Sequence, residues 1–416
     1  MILHVLGAGP AQLNLIKRIK EMGHEVAVSD MNPRAPGLAL ADYPSVASSF
    51  DPEAIKEAAL EARSDRLLTM GTDQPVLTAA LVSEQLGLPY FLTAEQATLV
   101  TNKKVMKEMF LQRQIPTAPF RFLSSSFDDS ELEGLHFPLV IKPLDSQGQR
   151  GVLKVQNISE IRVRMDEVLG FSRENQILVE EYYPSEEVTV SGWVCDKKVH
   201  LFSITDRVTI ENDPYMGVCV SHRYPSLFHR DWKELEDLTR KICHSVDIKE
   251  GPIYFQILGG DQGFRVNEIA CRLGGAYEDE FLPALCGVDP LTLLIEESLG
   301  SSCEDHSLEA MTTRRESLYC SLQMFFCRPG IICSQTGMDS LSSIPGFGAG
   351  RFLLSNGTQI LNRENSTQRA GYFFFYGNSA EDLNKKVGRA YDALSILDEN
   401  GKEMIERSEK EQFPDE

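Results

Sequence analysis

The chain has 416 residues, which is enough for two or three domains with hydrophobic cores of their own. Its 41 basic and 61 acidic side chains give a formal net charge of −20, and this excess repels nucleic acids and anionic membranes. We therefore expect neither as a partner. The sequence contains no run of about 18 apolar residues, and its first residues lack the positive charge of a secretion signal, so we expect a cytoplasmic protein.

Strand and helix patterns alternate over residues 1–92. Apolar runs predict strands at Ile2–Leu6, Glu25–Ser29 and 66–70, and helical patterns follow at 15–22, 52–63 and 75–86. This alternation predicts a parallel sheet with right-handed crossovers. The first strand ends in Gly7-Ala8-Gly9, which suggests a dinucleotide fingerprint, but Gln12 stands where a third glycine is needed. We interpret the glycines as a tight turn with close helix packing, and the alternative is that the tail of the turn forms part of the wall of an active-site cleft.

The middle of the chain begins with a helix at 102–112 and a proline-bounded linker at 114–119. From 138 to 275 strands dominate, with a helix at 232–245 and a hairpin formed by 251–258 and 264–269. Beyond about residue 301 we expect short strands at 319–326, 351–354 and 371–376, then a helix at 380–397 and a frayed charged end at 405–416. Nine cysteines without a Cys-x-x-Cys pair or zinc spacing predict reduced, mostly buried thiols.

A phosphate site is indicated by Lys142, which follows a buried-strand pattern and precedes a loop of small and polar residues. Ser146, Gly148 and Gly151 let backbone N–H groups approach phosphate oxygens, and the lysine supplies charge. The chain has no Walker A motif. A β-hairpin with an exposed lysine is the alternative at this point.

Acidic residues end two further strand patterns. Glu180 follows an apolar run and Glu187 comes seven residues later, a spacing that suits contacts with adenine and ribose; a solvated acidic stretch is the alternative. Gln256 and Glu268 lie on the two arms of the predicted hairpin, from which their oxygens could hold Mg²⁺. Arg272 follows four residues after Glu268 and could stabilise charge on a transferred phosphoryl group. An edge-strand carboxylate is the alternative for Glu268 alone.

Together these blocks resemble the ATP-grasp superfamily, and the likeness extends over nearly the whole chain. Segments 30–37 and 71–73 resemble its N-terminal pre-grasp domain. Segments 221–226, 268–275 and 369–377 are most similar to the L-amino acid ligase branch, whose members are carboxylate–amine ligases. The resemblance implies an α/β fold with a parallel α/β pre-grasp domain at 1–100, a two-lobed ATP-grasp domain at 101–300 with a lid near 143–178, and a C-terminal subdomain at 301–416.

The resemblance also implies roles for single residues. Lys103 and Lys142 would bind ATP phosphates, Glu180 and Tyr183 would contact adenine through their backbone, and Glu187 would hold the ribose. Glu268 would bind Mg²⁺, or Mn²⁺ in its place, and Arg272 would bind the acyl-phosphate end. Two departures stand out, because Gln256 replaces the usual first metal-binding glutamate and Ala270 the usual asparagine. The glutamine removes one negative charge, so we expect weaker Mg²⁺ binding.

The implied reaction activates a carboxylate as an acyl phosphate and transfers the acyl group to an amine, releasing ADP and phosphate. The expected substrates are small carboxylates and amines, such as amino acids, and the resemblance allows a homodimer. Four residues are candidates for a general base: His200, His222, His229 and Glu278. The alternatives are a carboxylase of the biotin carboxylase or purine-biosynthesis type and an ATP-binding protein with weakened catalysis. A nicotinamide oxidoreductase would leave the later blocks unexplained.

Overall fold

The computed structural model describes residues 1–212, 215–303, 308, 318–361, 365–407 and 412–414, with the backbone alone at residues 211 and 212. The fold is mixed α/β, with a small parallel sheet and a large antiparallel one, as the sequence predicts. The helices are α1 (Leu13–Glu21), α2 (Pro52–Ala62), α3 (Gln74–Leu86), α4 (Ala94–Thr101), α5 (Lys103–Gln112), α6 (Ile158–Leu169), α7 (Trp232–Val246), α8 (Glu278–Cys286), α9 (Pro290–Ser298) and α10 (Ala380–Ala393).

The small sheet has four parallel strands in the order β3-β2-β1-β4, namely β1 (Ile2–Leu6), β2 (Glu25–Ser29), β3 (Tyr43–Ser45) and β4 (Arg66–Leu68). Strand β1 lies inside the sheet and is almost entirely buried, which explains why four of its five residues are apolar. Hydrogen bonds within the protein hold the turn after β1. The Ala8 amide donates to Asp30 Oδ2 at 2.8 Å, and the Gln12 side chain donates to the Met70 carbonyl at 2.6 Å.

The large sheet contains thirteen strands. Nine of them follow the order β13-β12-β9-β10-β11-β7-β6-β8-β5: β5 (Phe120–Ser124), β6 (Leu139–Pro143), β7 (Leu153–Val155), β8 (Gln176–Glu181), β9 (Glu186–Cys195), β10 (Lys198–Asn212), β11 (Tyr215–Tyr224), β12 (Gly251–Gly260) and β13 (Gly263–Ala270). The predicted hairpin is formed by β12 and β13, and its register places Gln256 opposite Glu268. Because paired residues point to the same face, their side chains are neighbours.

Helix α5 brings two lysines to one face. The Asn102 side chain caps its start by accepting from the amides of Lys104 at 2.9 Å and Val105 at 3.2 Å. Lys103 and Lys107, four residues apart, therefore project along the same side of the helix. The sequence analysis missed the preceding helix α4, which begins at a capping box between Thr93 and Gln96.

The last hundred residues extend the large sheet and add two small ones. Their strands are β14 (Tyr319–Cys327), β15 (Gly330–Ile331), β16 (Ser334–Thr336), β17 (Phe347–Phe352), β18 (Gln359–Ile360), β19 (Gly371–Gly377), β20 (Ser395–Leu397) and β21 (Ile405–Glu406). The predicted helix at 380–397 ends at Ala393 instead, because its last residues pair with β16 as strand β20. Part of the end predicted to fray is also ordered, since β21 pairs with β14; residues 408–411 and 415–416 lie outside the described part.

The expectation that all cysteines are reduced is wrong for two of them. Cys195 at the end of β9 is bonded to Cys303, 108 residues later in the chain. A pairing over such a distance depends on the tertiary fold and has no signature in cysteine spacing. Six of the other seven thiols are buried, and Cys333 is exposed. Within the described part of the chain, no helix is long and apolar enough to span a membrane.

Candidate active site

Two adjoining cavities lie between the lobes of the large sheet and the small N-terminal sheet. The first contains nine of the eleven predicted site residues: Lys103, Lys142, Ser146, Gly148, Glu180, Tyr183, Glu187, Gln256 and Glu268. The second contains Arg272 together with Asp73, Tyr254, Tyr277 and Arg369. Gln256, Glu268, Arg207 and the loop 147–150 line both cavities. The structure thus assembles residues that are spread over almost 300 positions of sequence.

A buried carboxylate between two lysines forms the floor of the first cavity. Glu180 is 3% exposed, and its carboxylate oxygens lie 2.5 Å from Lys107 Nζ and 2.5 Å from Lys142 Nζ. Burial alone would raise the pKa of Glu180, but the two ammonium groups outweigh it and hold that pKa at about 2. Glu180 is therefore ionised, and the three groups together carry a net positive charge.

The placement of Glu180 differs from the adenine role suggested for its backbone. Its backbone is registered with Phe120 on β5 and Val140 on β6, inside the sheet. The Tyr182 amide still donates to the Pro138 carbonyl at 3.1 Å, so the chain leaves the sheet only after this residue. Tyr183 lies at the cavity, where its hydroxyl donates to the Gly263 carbonyl at 2.7 Å.

Lys103 connects the phosphate loop with the predicted metal-binding pair. Its ammonium group donates to the Ser146 carbonyl at 3.0 Å and to Glu268 Oε1 at 3.0 Å. Gln256, 8% exposed, faces the same space from the neighbouring strand. The charge of Lys103 lowers the pKa of Glu268 against the opposing effect of burial, so this carboxylate is ionised as well.

The loop after β6 passes over both cavities. Gly148 has a φ of +69°, and a side chain there would come within 2.9 Å of Ser366 Oγ, so this tight passage requires glycine. The Gln147 side chain accepts from the Asp73 amide at 2.8 Å and so connects the loop to the N-terminal part of the chain. Gly151, the tenth predicted residue, packs against Phe171 and lines neither cavity.

Glu187 is held by an arginine that the sequence analysis did not single out. Its Oε2 lies 2.5 Å from Arg207 Nη1, and Arg207 also donates to the Gly217 carbonyl at 3.1 Å. Arg207 is only 4% exposed and lines both cavities. The pair fixes the orientation of Glu187 at the edge of the first cavity.

Two arginines that line the second cavity differ in whether an acidic side chain neutralises their charge. Arg272 donates to Asp73 Oδ1 from Nε at 2.8 Å and from Nη2 at 2.6 Å, and its guanidinium carbon lies 4.5 Å from the centre of the Tyr254 ring. Arg369 has weaker contacts, to the carbonyls of Gly275 at 3.3 Å and Cys219 at 3.4 Å. Its Nε is buried without a hydrogen-bond partner. Among the described residues, Arg369 has no acidic partner, and it is therefore suited to bind an anion.

Glycines allow the two halves of the site to touch. A side chain on Gly275 would lie 2.4 Å from the Gly71 carbonyl oxygen, and the Gly71 amide donates to the Leu273 carbonyl at 3.0 Å. Gly274 makes room for the Glu278 carboxylate in the same way. This close approach positions Asp73, two residues after Gly71, against Arg272.

The four candidates for a general base are not placed for that role. His200, His222, His229 and Glu278 are absent from the lining of both cavities. His222 and Glu278 are buried within 3.5 Å of each other behind the second cavity. Burial, with Arg207 and Arg369, lowers the pKa of His222 well below its usual value, and burial raises the pKa of Glu278. We interpret the pair as structural.

The donor set at Gln256 and Glu268 fits a metal that arrives with a nucleotide. Within the described residues, no group of three or more His, Cys, Asp or Glu side chains could hold a metal ion. Mg²⁺ in nucleotide sites typically takes one or two protein oxygens and completes its shell with phosphates and water. Two neighbouring oxygen-bearing side chains beside a lysine-lined cavity satisfy that requirement.

Comparisons with known proteins concern the central part of the sequence and the fold of the whole chain. An ATP-grasp domain model matches residues 135–279. A formate-dependent phosphoribosylglycinamide formyltransferase of Mycobacteroides abscessus is 27% identical over 188 residues, which cover 43% of this chain and 46% of that protein. The match thus spans less than half the length of this curated relative.

Two solved structures resemble the chain along its length. The L-amino acid ligase of Bacillus licheniformis has a TM-score of 0.80 and 17% identity, covering 96% of this chain and 99% of that one. The phosphoribosylglycinamide synthetase of Anaerococcus prevotii has a TM-score of 0.75 and 19% identity, with the same coverage. At these identities the likeness concerns the fold. An ATP-grasp domain model thus matches the middle of the chain, and along its length the fold resembles the folds of these two enzymes.

Proposed function

We propose that the protein is an ATP-dependent ligase that joins a small carboxylate to an amine through an acyl phosphate. The observation that carries the proposal is the junction of the two cavities. A lysine-lined cavity and an arginine-lined cavity meet at Gln256 and Glu268. A nucleotide in the first would direct its terminal phosphate toward an acid in the second. The reacting groups would then be held together, which is the main demand of phosphoryl transfer.

In the first cavity we assign the triphosphate to Lys103, Lys142 and the amides of the loop at Ser146 and Gly148. Lys142 is held between Glu180 and Asn267 Oδ1, which lies 2.8 Å from its Nζ. The adenine is assigned to the peptide groups around Tyr183, where the chain leaves β8, and the ribose to Glu187. Glu268, with Gln256, would hold Mg²⁺. When bound, the ion would neutralise charge on the phosphate oxygens.

In the second cavity we assign the carboxylate substrate to Arg369. The charges of Arg272 and Arg207 are already neutralised by Asp73 and Glu187, whereas the hydrogen bonds of Arg369 within the described residues go to carbonyl groups. An incoming carboxylate would give this guanidinium the charge-assisted partner that it lacks. Arg272 would then stabilise the phosphoryl group as it is transferred across the junction.

The segment 143–178 is assigned as a lid that excludes water from the acyl phosphate. It already contacts the N-terminal part of the chain at two points. Gln147 accepts from the Asp73 amide, and Arg173 donates to Gln74 Oε1 at 2.8 Å. Arg173 is also anchored within the segment by Asp145, at 2.8 Å. These contacts would hold the lid closed while the intermediate exists.

The amino acid ligase reading is supported by the composition of the second cavity. Tyr254, Tyr277, Leu353 and Leu354 give it apolar walls that suit a side chain larger than the hydrogen atom of formate. Formate nevertheless remains in the test, because the curated relative is formate-dependent. A carboxylase would instead require bicarbonate.

The deciding experiment measures phosphate release from Mg-ATP with amino acids singly and in pairs, with formate and with bicarbonate, each with and without hydroxylamine. A ligase of amino acids would release phosphate with a pair and yield a product with the summed mass minus water. A hydroxamate from one acid identifies which carboxylate is activated. Phosphate release that depends only on bicarbonate or formate would overturn the assignment of amino acids as substrates. Binding of ATP without phosphate release under any condition would favour an ATP-binding protein with weakened catalysis.

A further inference from the structure

A separate cavity lies at the far end of strands β4, β9 and β12, away from the candidate active site. Its walls include Tyr90, Phe91, Trp193 and Leu294, with Glu297 near the end of helix α9. None of its lining residues takes part in either active-site cavity. Any ligand here would therefore be distinct from the proposed substrates.

Glu297 is a carboxylate with one oxygen left unused. The indole N–H of the fully buried Trp193 donates to Oε2 at 2.6 Å, whereas Oε1 is buried without a hydrogen-bond partner among the residues that the structure describes. Burial raises the pKa of Glu297 to about 7, and the nearby Glu250 acts in the same direction against the indole hydrogen bond. An uncompensated carboxylate of this kind is costly in a folded protein and calls for a reason.

A second polar atom beside the cavity is in the same state. The hydroxyl of Tyr90 is buried and has no hydrogen-bond partner in the described part of the chain, and its ring lies 4.5 Å from that of Phe91, centre to centre. The aromatic rings are packed firmly, since a side chain on Gly251 would come within 2.6 Å of Phe91. The cavity thus combines rigid aromatic walls with two polar atoms that lack partners.

The charges around this cavity favour a cation. Glu250 adds a second carboxylate at its exposed edge. The guanidinium of Arg66 is directed to backbone carbonyls, with Nε 2.6 Å from the Ser298 oxygen and Nη1 2.6 Å from that of Asp65. Carboxylates next to aromatic faces are the usual environment for protonated amines.

We propose that this cavity is a binding site for a small amine with an apolar or aromatic body. The ammonium group pairs with Glu297, whose unused oxygen it reaches after a small adjustment of the side chain. The Tyr90 hydroxyl supplies a second contact, and the rings of Phe91 and Trp193 cover the apolar body. The inference is independent of the proposed ligase activity.

The sequence supplies a direct reporter for the test. The chain has two tryptophans, Trp193 in the cavity and Trp232 at the start of α7, so the variant Trp232→Phe leaves the cavity tryptophan as the only one. The probe is 2-phenylethylamine, and the matched neutral control is 2-phenylethanol. We expect a saturable change in Trp193 fluorescence with the amine and at least tenfold weaker binding of the alcohol, about 1.4 kcal/mol.

Two variants separate the proposal from its rivals. Glu297→Gln keeps an oxygen for the indole hydrogen bond but removes the charge, and it should weaken amine binding at least tenfold. Lys142→Ala, in the first active-site cavity, should leave amine binding unchanged, because Lys142 does not line the separate cavity. Any one of three results would overturn the proposal. The amine and the alcohol bind equally well, Glu297→Gln binds the amine as tightly as the parent protein, or binding of the amine does not saturate up to about 10 mM, a Kd expected of only the weakest sites. Saturation-transfer NMR on the unmodified protein gives the same amine-to-alcohol comparison if Glu297→Gln does not fold.

Discussion

Replacing Lys107 by methionine should destabilise the protein and disturb the proposed nucleotide site through Glu180. Lys107 is 1% exposed, and its ammonium group contacts Glu180 and the Thr117 hydroxyl, each at 2.5 Å. Methionine retains the apolar stem but leaves one oxygen of the buried Glu180 without a counter-charge. Removing one partner of a buried ion pair typically costs about 3–5 kcal/mol. We expect the lower end of this range, because Glu180 keeps Lys142.

The lowered pKa of Glu180 reflects the same interaction. A fall from 4.5 to about 2 corresponds to roughly 3 kcal/mol of stability at neutral pH, shared between the two lysines. Since the folded-state pKa is depressed, this stability is present above pH 4.5 and is lost as the pH falls toward 2. The difference between the parent protein and Lys107→Met should therefore shrink over this acidic window.

Lys107→Met should also weaken nucleotide binding at least tenfold, about 1.4 kcal/mol, because Glu180 would then hold Lys142 alone and compete with the phosphates for it. Urea unfolding measures the stability and calorimetric titration with ADP the affinity. Lys104→Met is the matched control: it lies on the same helix, and its ammonium group donates to Gln176 outside the cavity. A double-mutant cycle with Glu180→Gln should give a coupling energy of about 2 kcal/mol. The reasoning would be refuted if the effects of the two substitutions on the free energy of unfolding were additive. It would also be refuted if Lys107→Met lowered that free energy by less than about 0.5 kcal/mol, the range of ordinary surface substitutions.

Three further changes test the assignments at the active site. Lys142→Ala should abolish ATP-dependent phosphate release, because Lys142 would contact the transferred phosphate; unchanged release would remove it from the site. Gln256→Glu adds a negative charge beside Glu268 and should lower the Mg²⁺ concentration needed for half-maximal ADP binding several-fold, and an unaltered requirement would exclude Gln256 from metal binding. Arg173→Ala removes the lid contact to Gln74 and should raise the ratio of ATP hydrolysed to amide formed, measured as phosphate against product; a constant ratio would argue against the lid.

The sequence predicts those parts of the fold that depend on local patterns. The N-terminal alternation of strands and helices and the β12–β13 hairpin are predicted because apolar period and turn residues act within a few positions. Helix α4 was missed although its capping box, Thr93 with Gln96, is a readable signal. The end of α10 was misplaced because residues 395–397 pair with β16, a contact that periodicity does not report.

The sequence predicts which residues line the candidate site, but it does not predict which of their side chains pair with each other. Lys107 could have been found, since it lies one helical turn after Lys103. For Asp73, Arg207 and Arg369, no spacing or motif in the sequence indicates which residues they contact. They meet Arg272, Glu187 and the cavity wall only after the chain has folded. Glu180 shows the same limit, because a carboxylate between two lysines and one exposed to solvent look alike in sequence.

The bond between Cys195 and Cys303 has a consequence for the unfolded chain. It closes a loop that contains β10 to β13, including Gln256 and Glu268. Cross-linking a loop of this size lowers the entropy of the unfolded ensemble, an effect of about 4–5 kcal/mol in the simplest chain model. The stability of the proposed metal-binding hairpin thus depends partly on the lower entropy of the unfolded chain. It therefore also depends on whether the surroundings of the protein keep Cys195 and Cys303 oxidised.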